Sequence, residues 1–384
     1  MTKSNHKVPV VRITEILPHS NADTLGIVRV GGYQCVVKKD NYKIGDLAIY
    51  IQPDSVVPER SEFKFLWEPR TFDGPVPEKY RRVTVRRFRK EWSEGLLMPL
   101  SDFPDLAEGF MNLFPAEGED VSEKLGITHY DPPEPEERGI ARKQQYKWPP
   151  KSLRGWFYYL LHLIGIDLNG NVGGSNEKGP SNPPPVYDVE AYKNFMGVFE
   201  SGEHVVVTEK IHGSNARFLF DGKKMFAGSR KLWKSVKSNC VWRSALKQNP
   251  WIEDWCRKFP GYTLYGEVFP TQGDKWSYGC TESGQVGFRA FDVLDPDGNY
   301  VPVYEPADTE IMILDRRPDT WVPVLYSGPF DEAKIKDLVE GPSLLPGAKN
   351  IREGVVIRPI TERHVHGLGR LQLKIVSNKF LEIS

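Results

Sequence analysis

Residues 204–220 read HVVVTEKIHGSNARFLF, and the reading of the fold starts there. The run Val205-Val206-Val207 and the run from Ala216 to Phe220 are both strand-like. Between them, Thr208-Glu209-Lys210-Ile211-His212-Gly213-Ser214-Asn215 closes the first strand and opens the second. A lysine at the end of a buried strand, before a glycine turn, has an amine that the fold can desolvate. Burial and neighbouring cations lower a lysine pKa, and the free amine is a nucleophile. Alone, the Lys-x-His-Gly pattern is weak, because a surface lysine before a turn has the same appearance.

Five further pieces follow in order, each at the end of a β-run or inside one. They are Ser229-Arg230, Tyr265-Gly266-Glu267-Val268-Phe269, Phe288-Arg289-Ala290-Phe291-Asp292, Glu353-Gly354-Val355-Val356-Ile357-Arg358 and Leu373-Lys374-Ile375. Strand candidates from Val186 onward alternate with helix candidates at 239–259 and 330–340, which predicts an α+β domain with antiparallel sheets. No GxGxxG or GxxxxGK[ST] follows a strand, so Rossmann and P-loop nucleotide binding are not supported.

The chain has 384 residues, a length that favours two domains. Residues 8–103 read as short strands punctuated by glycine and proline, the pattern of a small barrel. From 104 to 185 the character changes. There is an acidic proline-rich piece (DPPEPEERG), an apolar helix candidate at 152–168, and the tract NGNVGGSNEKGPSNPPP. That composition is an interdomain connector, with a lid that orders on a polynucleotide as the alternative.

Lys plus Arg and Asp plus Glu each number 51, so no global field marks a polyanion-coating protein. The basic charge is local. Residues 79–90, KYRRVTVRRFRK, hold seven cations in twelve, with Val83 and Val85 alternating as in a half-wet strand. Arg82, Arg86, Arg87 and Arg89, interleaved with Tyr80 and Phe88, suit backbone tracking and base stacking, although a solvated strand edge has the same look. Cys35, Cys240, Cys256 and Cys280 form no CxxC, which argues against structural zinc or a disulfide scaffold and fits a reducing, cytoplasmic compartment. The N-terminus lacks an apolar signal region, and the longest apolar run, 156–168, is too short to span a bilayer, so no membrane partner is expected.

Taken together, the ordered pieces from 186 to 384 resemble the covalent nucleotidyltransferases: polynucleotide ligases and mRNA capping enzymes. EKIHGSN, with histidine where DNA ligases carry aspartate, is similar to the RNA ligase branch that seals 3′-OH/5′-phosphate nicks. Only ten residues follow Lys374, which leaves no room there for the OB-fold that follows the last motif in DNA ligases. Instead the N-terminal segment ILPHSNADTLGIVRVGGYQCVVKKDNYKIGDLAIYIQPDSVVP resembles OB-folds of the tRNA-binding type. The resemblance implies an α+β chain. An N-terminal OB-fold β-barrel spans 1–103 and a linker or insertion 104–185. A nucleotidyltransferase (ATP-grasp-like ligase) domain of antiparallel sheets with flanking helices spans 186–384.

It also implies roles. Lys210 is the nucleophile that becomes lysyl-AMP, and Glu209 and Asn215 resemble adenine-contacting and phosphate-site positions. Phe291 stacks on adenine, with Phe288 as the register alternative; Glu267 holds the ribose 2′-hydroxyl, and Arg230 a ribose or phosphate oxygen. Asp292 and Glu353 hold Mg²⁺ or Mn²⁺, Lys374 contacts the α-phosphate, and His212 is a phosphate or metal-water contact or a structural turn histidine. One departure stands out, since Gln372 replaces a lysine that nick-sealing relatives often carry. The implied activity is an ATP-dependent RNA ligase, acting as a monomer on nicked RNA or RNA/DNA duplexes with RNA on the 3′-OH side. The alternatives are a DNA or mixed-strand ligase, or a catalytically dead nucleic-acid-binding relative.

Overall fold

The computed structural model describes residues 6–107, 113–130, 176–270, 276–304 and 319–383. The apolar helix candidate at 152–168 lies outside them. Among the described residues no helix is long and apolar enough to cross a membrane.

The first domain is built from short strands: β1 (Val10–Arg12), β2 (Leu17–His19), β3 (Ala22–Val30), β4 (Tyr33–Lys38), β5 (Leu47–Ile51), β6 (Ser55–Val56), β7 (Arg86–Phe88), β8 (Glu91–Ser93), β9 (Leu96–Pro99) and β10 (Thr128–His129). They pair as β1-β5-β9, β2-β3-β4, β7-β8 and β6-β10. Alternate residues turn inward. Val10, Ile49, Ile51 and Met98 meet Phe63 and Phe103 in one cluster, and Val28, Cys35, Val37 and Tyr50 form a second.

Both domain boundaries differ from the sequence reading. Val121, Leu125 and Ile127 are buried in the same cluster as Val8 and Ile49, and β10 pairs with β6, so the first domain runs to residue 130 rather than 103. On the other side of the connector, the carbonyls of Pro184 and Pro185 accept hydrogen bonds from Arg217 and the Tyr265 hydroxyl. Residues 176–185 therefore belong to the second domain. Glycine and proline make both stretches look like linker, but their few apolar or carbonyl groups are taken up by distant partners.

The second domain stacks two sheets. Its strands are β11 (Glu190–Ala191), β12 (His204–Lys210), β13 (Ser214–Phe220), β14 (Met225–Gly228), β15 (Thr263–Phe269), β16 (Gly287–Leu294), β17 (Val324–Pro329), β18 (Gly354–Pro359), β19 (His364–Val365), β20 (Gly369–Arg370) and β21 (Leu373–Val376). One sheet runs β11-β21-β18-β12-β17 and the other β14-β13-β15-β16; β19 pairs with β20, and β11 pairs with β21 in parallel. Helices Val241–Gln248 and Trp251–Lys258 bring Trp242, Ala245, Ile252 and Trp255 against Phe218, Leu264 and Phe288 of the four-stranded sheet. Helix Glu332–Val339 covers Val205, Val207, Val355 and Ile357 of the other with Ile335 and Val339. Each sheet so keeps one face for side chains other than its own core.

The domains touch through Tyr33, whose hydroxyl donates to Asn194 Oδ1 at 2.8 Å, and through the ion pair of Lys193 with Glu94. A third contact joins Arg87 to Glu382 at 2.9 Å, where Glu382 lies on the C-terminal helix Asn378–Ile383.

Candidate active site

β12 alternates, so Val206, Thr208 and Lys210 share one face while Val205, Val207 and Glu209 share the other. Lys210 pairs in register with Gly354, and Thr208 with Val356, which in turn faces Lys374. Lys210 and Lys374 therefore stand on the same face. Lys210 Nζ lies 2.8 Å from Glu353 Oε2, with both side chains largely buried (24% and 13% exposed). His212 Nδ1 is 3.8 Å from the same oxygen, and its ring is packed between Trp276 and Phe380.

Two glycines make this proximity possible. A Cβ on Gly213 would lie 2.2 Å from the Val268 carbonyl oxygen, and one on Gly354 would lie 2.0 Å from that of Ile375. Neither position admits a larger residue without backbone movement.

In the second sheet Asn215 faces Glu267, which faces Arg289. Burial pushes the Glu267 carboxyl up to about 8, opposed by Lys210 and reinforced by Glu353. Burial also works against the Glu353 carboxylate, but Lys210 and His212 outweigh it and hold the group down at about 2. For Lys210 burial disfavours the charged amine, yet Glu353 and Glu267 together raise its pKa. At neutral pH the resting amine is an ammonium against Glu353. Asn215 Oδ1 is buried without a partner among the described residues, an acceptor open to a ligand.

The aromatic positions are resolved by a bulge. Tyr265 pairs with Asp292 and Gly266 with Ala290, which leaves Phe291 as the extra residue of β16. Phe288 is fully buried against Phe218 and Trp251, so the register alternative is a core residue. Phe291 is half-buried, its ring 4.8 Å from that of Tyr187.

Two expected site residues are placed elsewhere. Asp292 is not arranged to hold a metal. Its carboxylate is fully buried and takes hydrogen bonds from Arg370 (2.5 Å), Arg358 (3.2 Å) and the Tyr187 hydroxyl (2.6 Å), with Val293 N–H on its other oxygen. Glu209, on the opposite face from Lys210, accepts the Leu344 N–H at 2.7 Å, so its side chain braces the loop before Glu353 and does not face the nucleophile. Arg230, just past β14, reaches Asp188 at 3.4 Å.

The sequence reading missed Tyr187, Arg370 and Tyr278. Gln372, the departure from the nick-sealing pattern, has its side-chain amide 2.7 Å from the Tyr187 hydroxyl, whose proton goes to Asp292. The Tyr278 hydroxyl accepts the His212 N–H at 2.7 Å. Only Arg358 carried a signal, as the last residue of the Glu353 motif.

The basic stretch is not one strand. Glu78–Arg81 is a helical turn and β7 begins at Arg86. Arg82 is spent on Asp54 at 2.5 Å and lies over the Tyr130 ring, and Arg87 is held by Glu382. Arg86, Phe88 (43% exposed) and Arg89 stand out into solvent on the β7–β8 hairpin.

Comparison with known proteins fits both halves. The RNA ligase family model matches residues 203–376, and an OB-fold domain model matches residues 7–100. No curated protein sequence matches the chain. Among solved structures, a lysine-to-alanine variant of Naegleria gruberi RNA ligase in its apo form is 22% identical, covers 98% of both chains and has a TM-score of 0.69. Another lysine-to-alanine variant of that enzyme, with ATP and Mn, gives the same identity, coverage and score. A glutamate-to-alanine variant with AMP and Mn gives a TM-score of 0.68 at 22% identity and 98% coverage of each chain. These likenesses bear out the expected architecture of an OB-fold followed by a nucleotidyltransferase-type ligase domain.

Proposed function

Since the chain carries an RNA ligase domain at residues 203–376 behind an OB-fold domain at 7–100, we propose that it is an ATP-dependent RNA ligase. In this reading it seals 3′-OH/5′-phosphate breaks, and its substrate is a nick with RNA on the 3′-OH side. The observation that carries the reading is Lys210 against Glu353 at 2.8 Å, on the sheet face that also bears Lys374, with Glu267 close by. ATP and Mn are bound by the similar Naegleria gruberi enzyme.

Lys210 gives up a proton to solvent, and its Nζ forms a bond to the α-phosphorus of ATP as the bond to pyrophosphate breaks. Lys374 stands on the same face to offset the charge of the departing pyrophosphate. Phe291, raised on its bulge, offers a ring for the adenine; Glu267, protonated near neutral pH, has a hydroxyl to donate to the ribose, and Arg230 is at hand for a ribose or phosphate oxygen. An oxygen of the 5′-phosphate then attacks the phosphorus of lysyl-AMP, the Nζ–phosphorus bond breaks, and Lys210 takes back a proton from solvent. In the last step the 3′-OH attacks that phosphate and AMP leaves. The two later steps use the same positioned charges.

Glu353 fits a hard divalent cation. It is an ionised oxygen donor, and Mg²⁺ takes one or two protein carboxylates and completes its shell with phosphate oxygens and water. When bound, such a cation supplies positive charge that favours the free amine of Lys210. His212, held against Glu353, orients that carboxylate. The OB-fold presents Arg86, Phe88 and Arg89 to the nucleic acid.

The test is incubation with α-labelled ATP and Mg²⁺ or Mn²⁺, followed by denaturing electrophoresis, for wild type and Lys210→Ala. Label on the wild type alone is the expected result. Folded wild-type protein that takes no label with either metal would make the chain a nucleic-acid-binding relative with an inactive transferase domain.

A further inference from the structure

Tyr278 lies in none of the motifs, yet it holds an unusual backbone. Its φ is +48°, in the left-handed region, where a bulky aromatic is strained. It is 2% exposed, and its ring meets Phe269, two residues past Glu267 on β15, at 5.4 Å. Such a conformation persists only where the surroundings over-determine it.

Two hydrogen bonds do so. The Tyr278 backbone N–H donates to Asn350 Oδ1 at 3.0 Å, and its hydroxyl accepts the backbone N–H of His212 at 2.7 Å. Asn350 is fixed in turn, because its Nδ2 donates to the Ile351 carbonyl at 2.9 Å and its own carbonyl accepts the Ser343 N–H. The next residue, Gly279, packs so closely that a Cβ would lie 2.4 Å from the Pro346 carbonyl oxygen. Asn350 stands three residues before Glu353, and His212 two residues after Lys210. One side chain and its own amide thus tie together the two loops that deliver the ends of the Lys210–Glu353 pair. A core tyrosine needs only some partner for its hydroxyl. This one spends it on the turn that follows the nucleophile.

We propose that Tyr278 is a positioning residue for nucleophilic attack by Lys210. Its hydroxyl fixes the His212 turn, and through it the placement of the lysine amine against Glu353. The inference rests on the adenylyl-transfer reading above.

Tyr278→Phe keeps the ring and removes only the acceptor, which leaves the His212 N–H orphaned. Formation of lysyl-AMP at saturating ATP is expected to slow by about 10–100-fold, the range for an unsatisfied buried donor. The KM for ATP should stay within about 3-fold, because ground-state binding is untouched. Sealing of a pre-adenylated nick forms no bond to Lys210 and should also stay within about 3-fold. Asn350→Ala, which frees the other end of the brace, should give the same split between the two steps, and it decides the matter if Tyr278→Phe fails to fold. Unchanged adenylation in Tyr278→Phe overturns the inference. So does an equal fall in both steps that tracks a lowered melting midpoint, which is the mark of a purely structural role. If wild type takes no label, the adenylyl-transfer reading falls and takes this inference with it. If wild type labels normally and the variant matches it, the inference alone falls.

Discussion

Two clusters of charge are buried in the second domain, and they are built from the same chemical types. In one, Lys210 stands against Glu353, with the carboxyl of Glu267 close by. In the other, Asp292 is clasped by Arg358, Arg370 and the Tyr187 hydroxyl, and Arg370 reaches on to Glu362. The Asp292 carboxylate is saturated. Each of its oxygens has a donor, although Arg358 Nε is buried without a hydrogen-bond partner among the described residues. The Lys210 cluster is incomplete. It holds two carboxyl groups against one amine, the second carboxyl is displaced to about 8, and the neighbouring Asn215 Oδ1 has no partner among the described residues. Saturated charge makes a frame, whereas unsaturated charge leaves places for phosphates and a cation.

Substitution should separate the two most sharply. Glu353→Gln is expected to slow lysyl-AMP formation by at least about 100-fold, the scale for losing a preorganised charge in a closed site. Its melting midpoint should barely move, because Lys210 can respond by giving up its proton. Asp292→Asn leaves Arg358 facing no carboxylate at a fully buried site and Arg370 held by Glu362 alone. Breaking a buried network of this kind costs about 3–5 kcal/mol. In a domain of this size that is a midpoint lower by roughly 6–20 °C, read by calorimetry. If Asp292→Asn melted normally but lost adenylation, the division into frame and site would fail.

The Lys210 cluster was legible because its residues lie in the ordered pieces whose resemblance to the covalent nucleotidyltransferases implied their roles, and strand alternation is consistent with it. Once Lys210 ends a strand and Glu267 and Lys374 lie inside others, period two puts each on a face, and pairing between neighbouring strands does the rest. The Asp292 cluster was hidden for the opposite reason. Its partners lie 66, 78 and 105 residues away, and the bulge that turns Phe291 one way and Asp292 the other leaves no mark in FRAFDVL. The resemblance therefore carried Asp292 over as a metal ligand. Residues 121–127 escaped the barrel for a similar reason: three apolar residues carry no strand pattern, yet they fill its core.

The same contrast runs through the basic stretch of the first domain. Arg82 is already paired with Asp54, while Arg86 and Arg89 are exposed on the hairpin. Neutralising Arg86 and Arg89 to Gln should reduce the slope of log affinity against log salt for a nicked duplex by about 2, close to one unit for each phosphate that is no longer neutralised. Arg82→Gln should change it by less than about 0.5, because its charge is already compensated. Filter binding across a salt series checks both. Equal slopes for all three proteins would return the hairpin to a solvated edge.

The smallest effect concerns a buried base that is satisfied without charge. His6 Nε2 lies 2.7 Å from Ser55 Oγ, and its ring meets that of His129 edge-on at 5.3 Å. Burial lowers its pKa to about 4, His129 adds to the shift, and Asp120 and Asp54 oppose it. In the unfolded chain the group titrates near 6.5. Between those values the unfolded state binds a proton that the folded state refuses, so stability is full above about pH 6.5 and falls as the pH drops towards 4. Part of the ring still meets water, which keeps the effect modest. Melting midpoints of wild type and His6→Gln, compared between about pH 7 and pH 5, isolate it, because only the wild type carries this titration. The variant is expected to give the flatter profile. Parallel profiles would mean that His6 takes up its proton in place, with the acidic neighbours Asp54 and Asp120 compensating it, and the first domain would then hold no buried base of this kind at its N-terminal edge.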